Sequence, residues 1–410
     1  MMKIAVIGSG ISGLSAAYFL SKKFKVDLFE KDDHFGGHSY TYEIKDNNKV
    51  IPVDLGFIVF NKITYPNLIN LFKDLNIPYE KSDMSFSVSI KNSNIEYSGS
   101  GVGGIFVNKL NLLNLKFLIM IKEIISFYKT APKLLKNDLK EQTLGDFLNK
   151  KKLSKYFVEY HLIPMVAAIW SMPFEKAKEM PIKFFLNFFT NHGLFKLKDR
   201  PQWYTVTNRS RTYVKKITDK ISGEVFKNYK VSKVIRTTDN IRLMFGNEYI
   251  DYDHVVLASH ADQSLSLLER PSEKEKNILS KFTYVKNQAF LHTDENLMPK
   301  KKRAWSSWNS ISNGDKTCIT YWLNKLQNLN TNKNYFLTLN PLFEINNNFI
   351  IKKVNFTHPY LNSENTLLQK DLKLIQGKKR TWFCGSYFGY GFHEDGLKSS
   401  IELAKNFKIQ

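Results

Sequence analysis

Lys3-Ile4-Ala5-Val6-Ile7-Gly8-Ser9-Gly10-Ile11-Ser12-Gly13 is the stretch that decides the fold of this chain. Residues 3–7 form an apolar run of strand length, and residues 12–22 have the pattern of an amphipathic helix ending in lysine. The glycines between them have the spacing G-x-G-x-x-G. A second strand is predicted over 25–29 and ends in Glu30, roughly 20 residues past the glycines. Each part has a physical task. Gly8 permits the tight turn, Gly10 lets a phosphate approach the backbone, and Gly13 lets the helix pack on the strand. The helix start, with Ser12 in its first turn, offers free amides and a positive dipole end to a pyrophosphate. Glu30 would accept hydrogen bonds from ribose hydroxyls and repel a 2′-phosphate. A glycine triplet alone is a weak signal, but strand, turn, helix, strand and acid in this order read as a dinucleotide-binding unit.

Working outward, Lys31 to Thr41 contains Gly36-Gly37 followed by His38, a turn signal placed to bring a second backbone loop toward the same pyrophosphate. Residues 53–61 read as a strand and 65–75 as a helix. Residues 108–136 read as an apolar, basic helix in which Lys116, Lys122 and Glu123 break any run able to span a bilayer. That segment is expected to be a buried helix, with an interfacial helix as the alternative. A strand-rich region at 225–245 and the strand His254-Val255-Val256-Leu257 return the chain to the nucleotide unit. Thr381-Trp382-Phe383 is a last short strand, and 396–408 a closing helix. The expected architecture is α/β, a Rossmann-like domain built from 1–65, 215–268 and 378–410. An α+β substrate domain, from 66–214 and 269–377, is inserted into it.

The composition suits a globular enzyme-sized protein: 410 residues, 43% hydrophobic, 14% aromatic, with 31 Phe available to line an apolar cavity. The formal charge of +22 fits an anionic surface, yet no zinc finger or RNP motif is present, so nucleic acid is not an expected partner. The two cysteines, Cys318 and Cys384, are too few for a disulfide framework or a four-ligand zinc site, and no metal site is expected. They fit a reducing, cytoplasmic location, and the positive charge adds a peripheral place at the inner face of the membrane. The first residues are interrupted by Gly8, Gly10 and Gly13 and lack a small-residue cleavage site, so they read as a folding element rather than a secretory signal.

The dinucleotide fingerprint, the Gly-Gly pair, the Val-Val-Leu-Ala strand and the segment 385–400 together resemble the flavin-containing amine oxidase superfamily. Within it the chain is most similar to bacterial amine-oxidase-like proteins associated with cyclopropane-fatty-acyl-phospholipid synthases. The residues carrying that likeness are 54–61 (Asp-Leu-Gly-Phe-Ile-Val-Phe-Asn), Ile169-Trp170-Ser171, 291–294, 304–309, 338–341 and 389–396 (Gly-Tyr-Gly-Phe-His-Glu-Asp-Gly). The resemblance implies non-covalent FAD held by Gly8, Gly10, Ser12, Gly13, Glu30, Lys31, Gly36, Gly37 and His38. It adds Val231, Gly385, Phe392, His393, Asp395 and Gly396, and it implies a lipid-modifying enzyme as a partner. One departure stands out: Asn208-Arg209 occupies the place of a glycine pair before Ser210, with the expected consequence of an altered turn near the cofactor or narrowed substrate access.

Because a flavin itself accepts hydride, no nucleophile triad is expected of the protein. The resemblance points to Lys286, His393 and Glu394 as the residues nearest the chemistry. His292 and Asp294 share one strand face, where a structural hydrogen bond is the commoner outcome. Trp305 and Trp308 either wall a cavity or fill the core. Cys384 precedes a glycine turn and is not at the usual site of covalent attachment. The expected function is FAD-dependent removal of hydride from a hydrophobic substrate, such as an unsaturated or methyl-branched fatty acyl chain. Two other readings stand beside it: a flavin-dependent isomerase or mutase without net oxidation, and a non-catalytic flavin-bound partner of a lipid-modifying enzyme.

Overall fold

Why the chain begins as it does is a matter of burial. In the computed structural model, which describes residues 1–409 except 47, 92, 94, 137, 138, 140, 141, 171, 314 and 315, Ile4, Ala5 and Val6 are fully buried. The first strand, β1 (Lys3–Ile7), is the centre of a five-stranded parallel sheet. It is followed by α1 (Ile11–Ser21) and β2 (Lys25–Phe29). The chain re-enters the sheet much later through β3 (Val225–Phe226), β4 (His254–Leu257) and β5 (Thr381–Phe383), giving the order β3-β2-β1-β4-β5. Ile4 stands opposite Val26 on one side and His254 on the other. A parallel sheet covered on both faces demands such continuous apolar runs. Ser171 of the Ile169-Trp170-Ser171 motif lies outside the described residues.

The last helix, α2 (His393–Asn406), packs against α1. A Cβ on Gly396 would lie 2.6 Å from Ser12 Oγ and 3.0 Å from Ile11 Cγ2, so this glycine sets the helix–helix distance. Ser400 Oγ donates to the Ser12 carbonyl at 2.7 Å across the same contact. Gly13 does the corresponding work between α1 and β1, since a Cβ there would sit 1.8 Å from the Gly8 carbonyl oxygen. The residues predicted as a closing helix at 396–408 therefore belong to an earlier-starting one.

A seven-stranded sheet forms the second half of the molecule, in the order 350–360, 283–292, 336–339, 316–322, 308–313, 86–90 and 96–98. All neighbours are antiparallel except 308–313 with 86–90. The helical insertion Leu115–Leu134, Leu144–Lys151, Ile163–Trp170 and Ile182–Asn191 closes over one side with its own apolar core, rich in Phe117, Phe127, Phe157, Phe185 and Phe189. The hairpin Thr41–Asp46/Lys49–Asp54 and the segment 55–59 bury Ile44, Val53, Leu55 and Ile58 against this second sheet.

The Asn208-Arg209 pair takes a backbone that glycine adopts freely. Asn208 has φ 61° and Arg209 φ 78°, both left-handed. For a non-glycine residue this costs about 1–2 kcal/mol. The surroundings hold it in place: buried Arg209 donates to the Pro52 carbonyl (2.9 Å) and the Gln327 carbonyl (2.7 Å), and Ser210 Oγ donates to Asp54 Oδ1 (2.6 Å). Neither Asn208 nor Arg209 lines the cavity, so the pair does not narrow it directly.

Gly13→Ala tests the helix–strand contact. The methyl group meets backbone that cannot rotate away, so a loss of about 1–3 kcal/mol is expected in urea unfolding, the range for overpacking; an unchanged midpoint would contradict the contact.

Candidate dinucleotide and substrate cavity

The two glycine loops are bound to each other before they bind anything else. Gly36 N–H donates to the Ser9 carbonyl (3.0 Å) and to Ser9 Oγ (3.1 Å). Gly36 (φ 116°) and Gly37 (φ 57°) take the left-handed backbone that glycine allows, and Gly37 approaches Gly10 so closely that its Cβ would lie 3.1 Å from the Gly10 Cα. Glu30, buried at the end of β2, accepts from Ser9 N–H (2.9 Å), Ser9 Oγ–H (2.6 Å) and Asp32 N–H (3.0 Å). A carboxylate has about four acceptor positions, so one remains for a ligand hydroxyl.

These loops open onto a cavity of about 1070 Å³, at the upper end of the roughly 300–1,000 Å³ typical of ligand sites. Gly8, Gly10, Ser12, Glu30, Lys31, Gly37, His38, Val231, Gly385, Phe392 and His393 all line it. Gly10 is informative, because a Cβ built there meets nothing within 4 Å and its backbone angles suit any residue. Packing within the protein does not require a glycine at that point; the close approach of a ligand would. His38 Nε2 is also buried without a partner at this end of the cavity. With the first-turn amides of α1 lacking intrahelical acceptors, these features fit the pyrophosphate-bearing half of a dinucleotide such as FAD.

Four expected contacts and two expected catalytic residues fall elsewhere. Gly13 and Gly396 are consumed by packing, and Gly36 by its tether to Ser9. Asp395 caps α2 by accepting from Phe392 N–H at 3.0 Å, and burial raises its pKa to about 6. Glu394 turns away from the cavity and accepts from Asn67 N–H (2.9 Å), Asn67 Nδ2 (2.7 Å) and Leu68 N–H (3.0 Å), holding the start of the helix Pro66–Asp74. An anion at a helix N-terminus is a stabilising structural arrangement. Lys286 is exposed and forms no part of the cavity wall. A free ammonium keeps its hydration there, while the neighbouring strand supplies the wall through residues 352–359.

His393, at the start of α2, does reach the cavity. Its ring stacks on Phe57 with centroids 3.6 Å apart, and Nε2 sits 3.0 Å from Ser39 Oγ and 3.3 Å from the Tyr213 hydroxyl. Ser39 and Tyr213 are themselves hydrogen-bonded. Burial holds the imidazole neutral, well below its ordinary pKa. His260 and His358 also line the cavity, escaped the sequence reading, and stay neutral by burial, at about 4 and about 3. His260 lies flat against Tyr284, 4.0 Å between centroids, and Asn287 Nδ2 donates to His358 Nδ1 at 2.8 Å. No local signal marks them, since each is a single histidine on its own segment.

Much of the remaining wall is apolar. Met84, Phe86, Met165, Ile169, Trp170, Leu337 and Leu339 line it from the helical insertion and the second sheet. Trp308 joins this wall, with a buried Nε1–H that has no acceptor, whereas Trp305 fills the core and donates to the Pro299 carbonyl. His292 and Asp294 are structural: His292 bonds Thr338 at 2.7 Å and accepts from Asp294 N–H at 3.1 Å. Cys384 is buried beneath α1, its thiol pushed up to about 12 by burial, and it does not line the cavity.

The fold thus joins a Rossmann-like α/β unit to a second sheet across one shared cavity. Residues 6–75 match the family model described as NAD(P)-binding Rossmann-like domain. An 84-residue segment is 40% identical to 1-hydroxycarotenoid 3,4-desaturase of Flavobacterium sp. (strain P99-3), a match spanning 19% of this chain and only 16% of that enzyme. The whole chain has the fold of several solved enzymes. The CLA-producing fatty acid isomerase from P. acnes superposes with a TM-score of 0.71 at 13% identity, covering 99% of this chain and 98% of that one. Cyclohexylamine oxidase from Brevibacterium oxydans IH-35A gives 0.69 at 13%, covering 99% of each. Putrescine oxidase bound to putrescine gives 0.70 at 12%, covering 100% and 99%. The architecture is the amine-oxidase type.

Two outcomes are expected of this site. Gly10→Ala leaves urea stability within about 0.5 kcal/mol, as for a substitution that meets no neighbour, yet weakens FAD binding at least about tenfold in a fluorescence titration; equal affinity would remove the cradle. Stability also follows the histidines. Burial holds His38, His161, His192, His254, His260, His292, His358 and His393 below their ordinary 6.5, so below that pH the unfolded chain binds more protons than the folded one. Asp54 and Asp395, raised to about 6, and Glu394, also raised, oppose this between about pH 4 and 6 but are fewer. Tm is expected to fall as pH drops from 7 to 5, and a flat profile in differential scanning fluorimetry would contradict the buried neutral histidines.

Proposed function

We propose that this chain is an FAD-dependent oxidoreductase that removes hydride from a hydrophobic substrate, with an unsaturated or methyl-branched fatty acyl chain as the best candidate. The observation that carries this reading is the single cavity joining the glycine loops to an apolar compartment. Gly8, Gly10, Gly37 and the first turn of α1 would hold FAD non-covalently, with Glu30 on the ribose. Bound there, FAD supplies the hydride-accepting chemistry.

The chain's own residues bind, orient and exclude water. Met165, Ile169, Leu337 and Leu339 desolvate the substrate, and Trp308 Nε1–H offers a hydrogen bond to an oxygen on it. Ser39 and Tyr213 fix the ring of His393 as a neutral imidazole, which presents a polar edge to the cavity without adding charge.

The distribution of acids argues against a cationic amine as substrate. Among the described residues, the carboxylates on the cavity wall are Glu30, Asp32 and Asp33, all beside the nucleotide loops. The apolar compartment has none to pair with an ammonium group, and a desolvated, unpaired cation there is strongly disfavoured. The cations on the wall, Lys31, Arg200, Lys230, Lys352 and Lys353, outnumber these acids and favour an anionic or neutral molecule instead. A second reading, isomerisation without net oxidation, draws support from the fold shared with the fatty acid isomerase. An association with a lipid-modifying enzyme would place such a substrate at hand.

The test is the visible spectrum of the FAD-reconstituted protein under anaerobic conditions. Flavin bands are expected to bleach on adding a phospholipid and fatty acid extract and to persist with putrescine. Persistent bands together with a lipid product of unchanged mass would select the isomerase, and failure to retain FAD would overturn both readings.

A further inference from the structure

The helix Leu115–Leu134 is apolar on the wrong side as well as the right one. Phe117, Met120, Ile124, Phe127, Tyr128 and Ala131 recur at helical spacing and are buried in the insertion's core. A surface helix ordinarily carries polar residues opposite such a stripe. Here the outward positions of the first turns are Leu115, Leu118, Ile119 and Ile125, and the preceding turn adds Leu110, Leu112 and Leu113, all exposed. Leu113 is 84% exposed and Leu115 74%, which rules out partial burial as their purpose. Single exposed leucines are unremarkable, but seven within sixteen consecutive residues form a patch that water penalises.

The charges around this patch select its occupant. Between 108 and 136 the chain carries Lys109, Lys116, Lys122, Lys129, Lys133 and Lys136, all exposed, against one acid, Glu123. That acid is already used: it accepts from Ser154 N–H at 2.9 Å and from Ser154 Oγ. Two copies of such a surface would repel each other, whereas apolar side chains interleaved with lysines match the interface of an anionic bilayer. No helix among the described residues is long and apolar enough to cross a membrane.

We infer that residues 109–125 dock this protein on an anionic lipid surface, with Leu110, Leu112, Leu113, Leu115, Leu118 and Ile119 entering the acyl boundary and the lysines contacting headgroups. The inner face of the same helix reaches the cavity wall in one step. Tyr128 bonds His161 Nε2 at 2.8 Å and lies 3.8 Å from the sulfur of Met165, which lines the cavity. Docking therefore places the helical wall of the apolar compartment next to the bilayer.

Flotation of the FAD-reconstituted full chain with phosphatidylglycerol/phosphatidylcholine vesicles tests this, with pure phosphatidylcholine vesicles alongside. Binding to the anionic vesicles is expected, weakened by salt. Leu113→Glu/Leu115→Glu should reduce it more than tenfold while leaving Tm unchanged, because both side chains are free of packing. Lys109→Glu/Lys116→Glu should do the same, each basic residue being worth about fivefold. Lys220→Glu/Lys274→Glu makes the same charge change at exposed positions elsewhere and should have little effect. An equal loss in that control would show that only net charge matters and overturn the assignment. So would an absence of binding at low salt, or a concentration-dependent dimer that the leucine variant dissolves, which would make a second copy the occupant.

Discussion

The structure depends on how closely backbone can approach backbone at the start of α1. Gly13 rests against the Gly8 carbonyl at a distance no side chain tolerates, which aims the helix N-terminus at the ends of β1 and β2. Gly36-Gly37 is then tied to Ser9 and Gly10, and Glu30 to Ser9, so that three separate turns form one rigid rim. The last helix adds to it by the same device, with Gly396 against Ser12. Free amides and positive dipole ends are thereby gathered at one point, which is the electrostatic condition for holding a pyrophosphate.

What is built around this rim decides how it can be used. The second sheet and the helical insertion close a space that is apolar at one end and polar at the other, and the polar end is furnished with neutral rather than charged imidazoles. His38, His260, His358 and His393 stand close enough that a proton on one opposes a proton on the next. Burial and mutual repulsion act together, so the cavity presents hydrogen-bonding edges without adding cations to its interior. The nearby carboxylates Glu394 and Asp395 are engaged elsewhere, at helix starts.

The turn at Asn208-Arg209 shows how a local rule can be broken without loss of the fold. A glycine pair would take its left-handed backbone freely; here the conformation is kept by a buried guanidinium that bonds two carbonyls and by Ser210 on Asp54. Long-range hydrogen bonds to Pro52 and Gln327 offset a short-range conformational cost. From sequence the substitution reads as a change of turn, because those partners lie more than a hundred residues away.

The sequence by itself determined the parallel α/β core and the glycine turns with Glu30 at its centre. These rest on contacts between near neighbours in the chain and on hydrophobic period, which a one-dimensional pattern records. The Asp54–Asn61 and Gly389–Gly396 motifs likewise marked segments around the cavity, but not the orientation of each side chain. Only the tertiary structure decided that Lys286 faces water, that Glu394 and Asp395 cap helices, and that His260 and His358 join His38. It also decided that leucines of the basic helix face outward. Burial and orientation come from elements tens to hundreds of residues apart packing together, and a residue's type and spacing do not record which of its faces will find a neighbour.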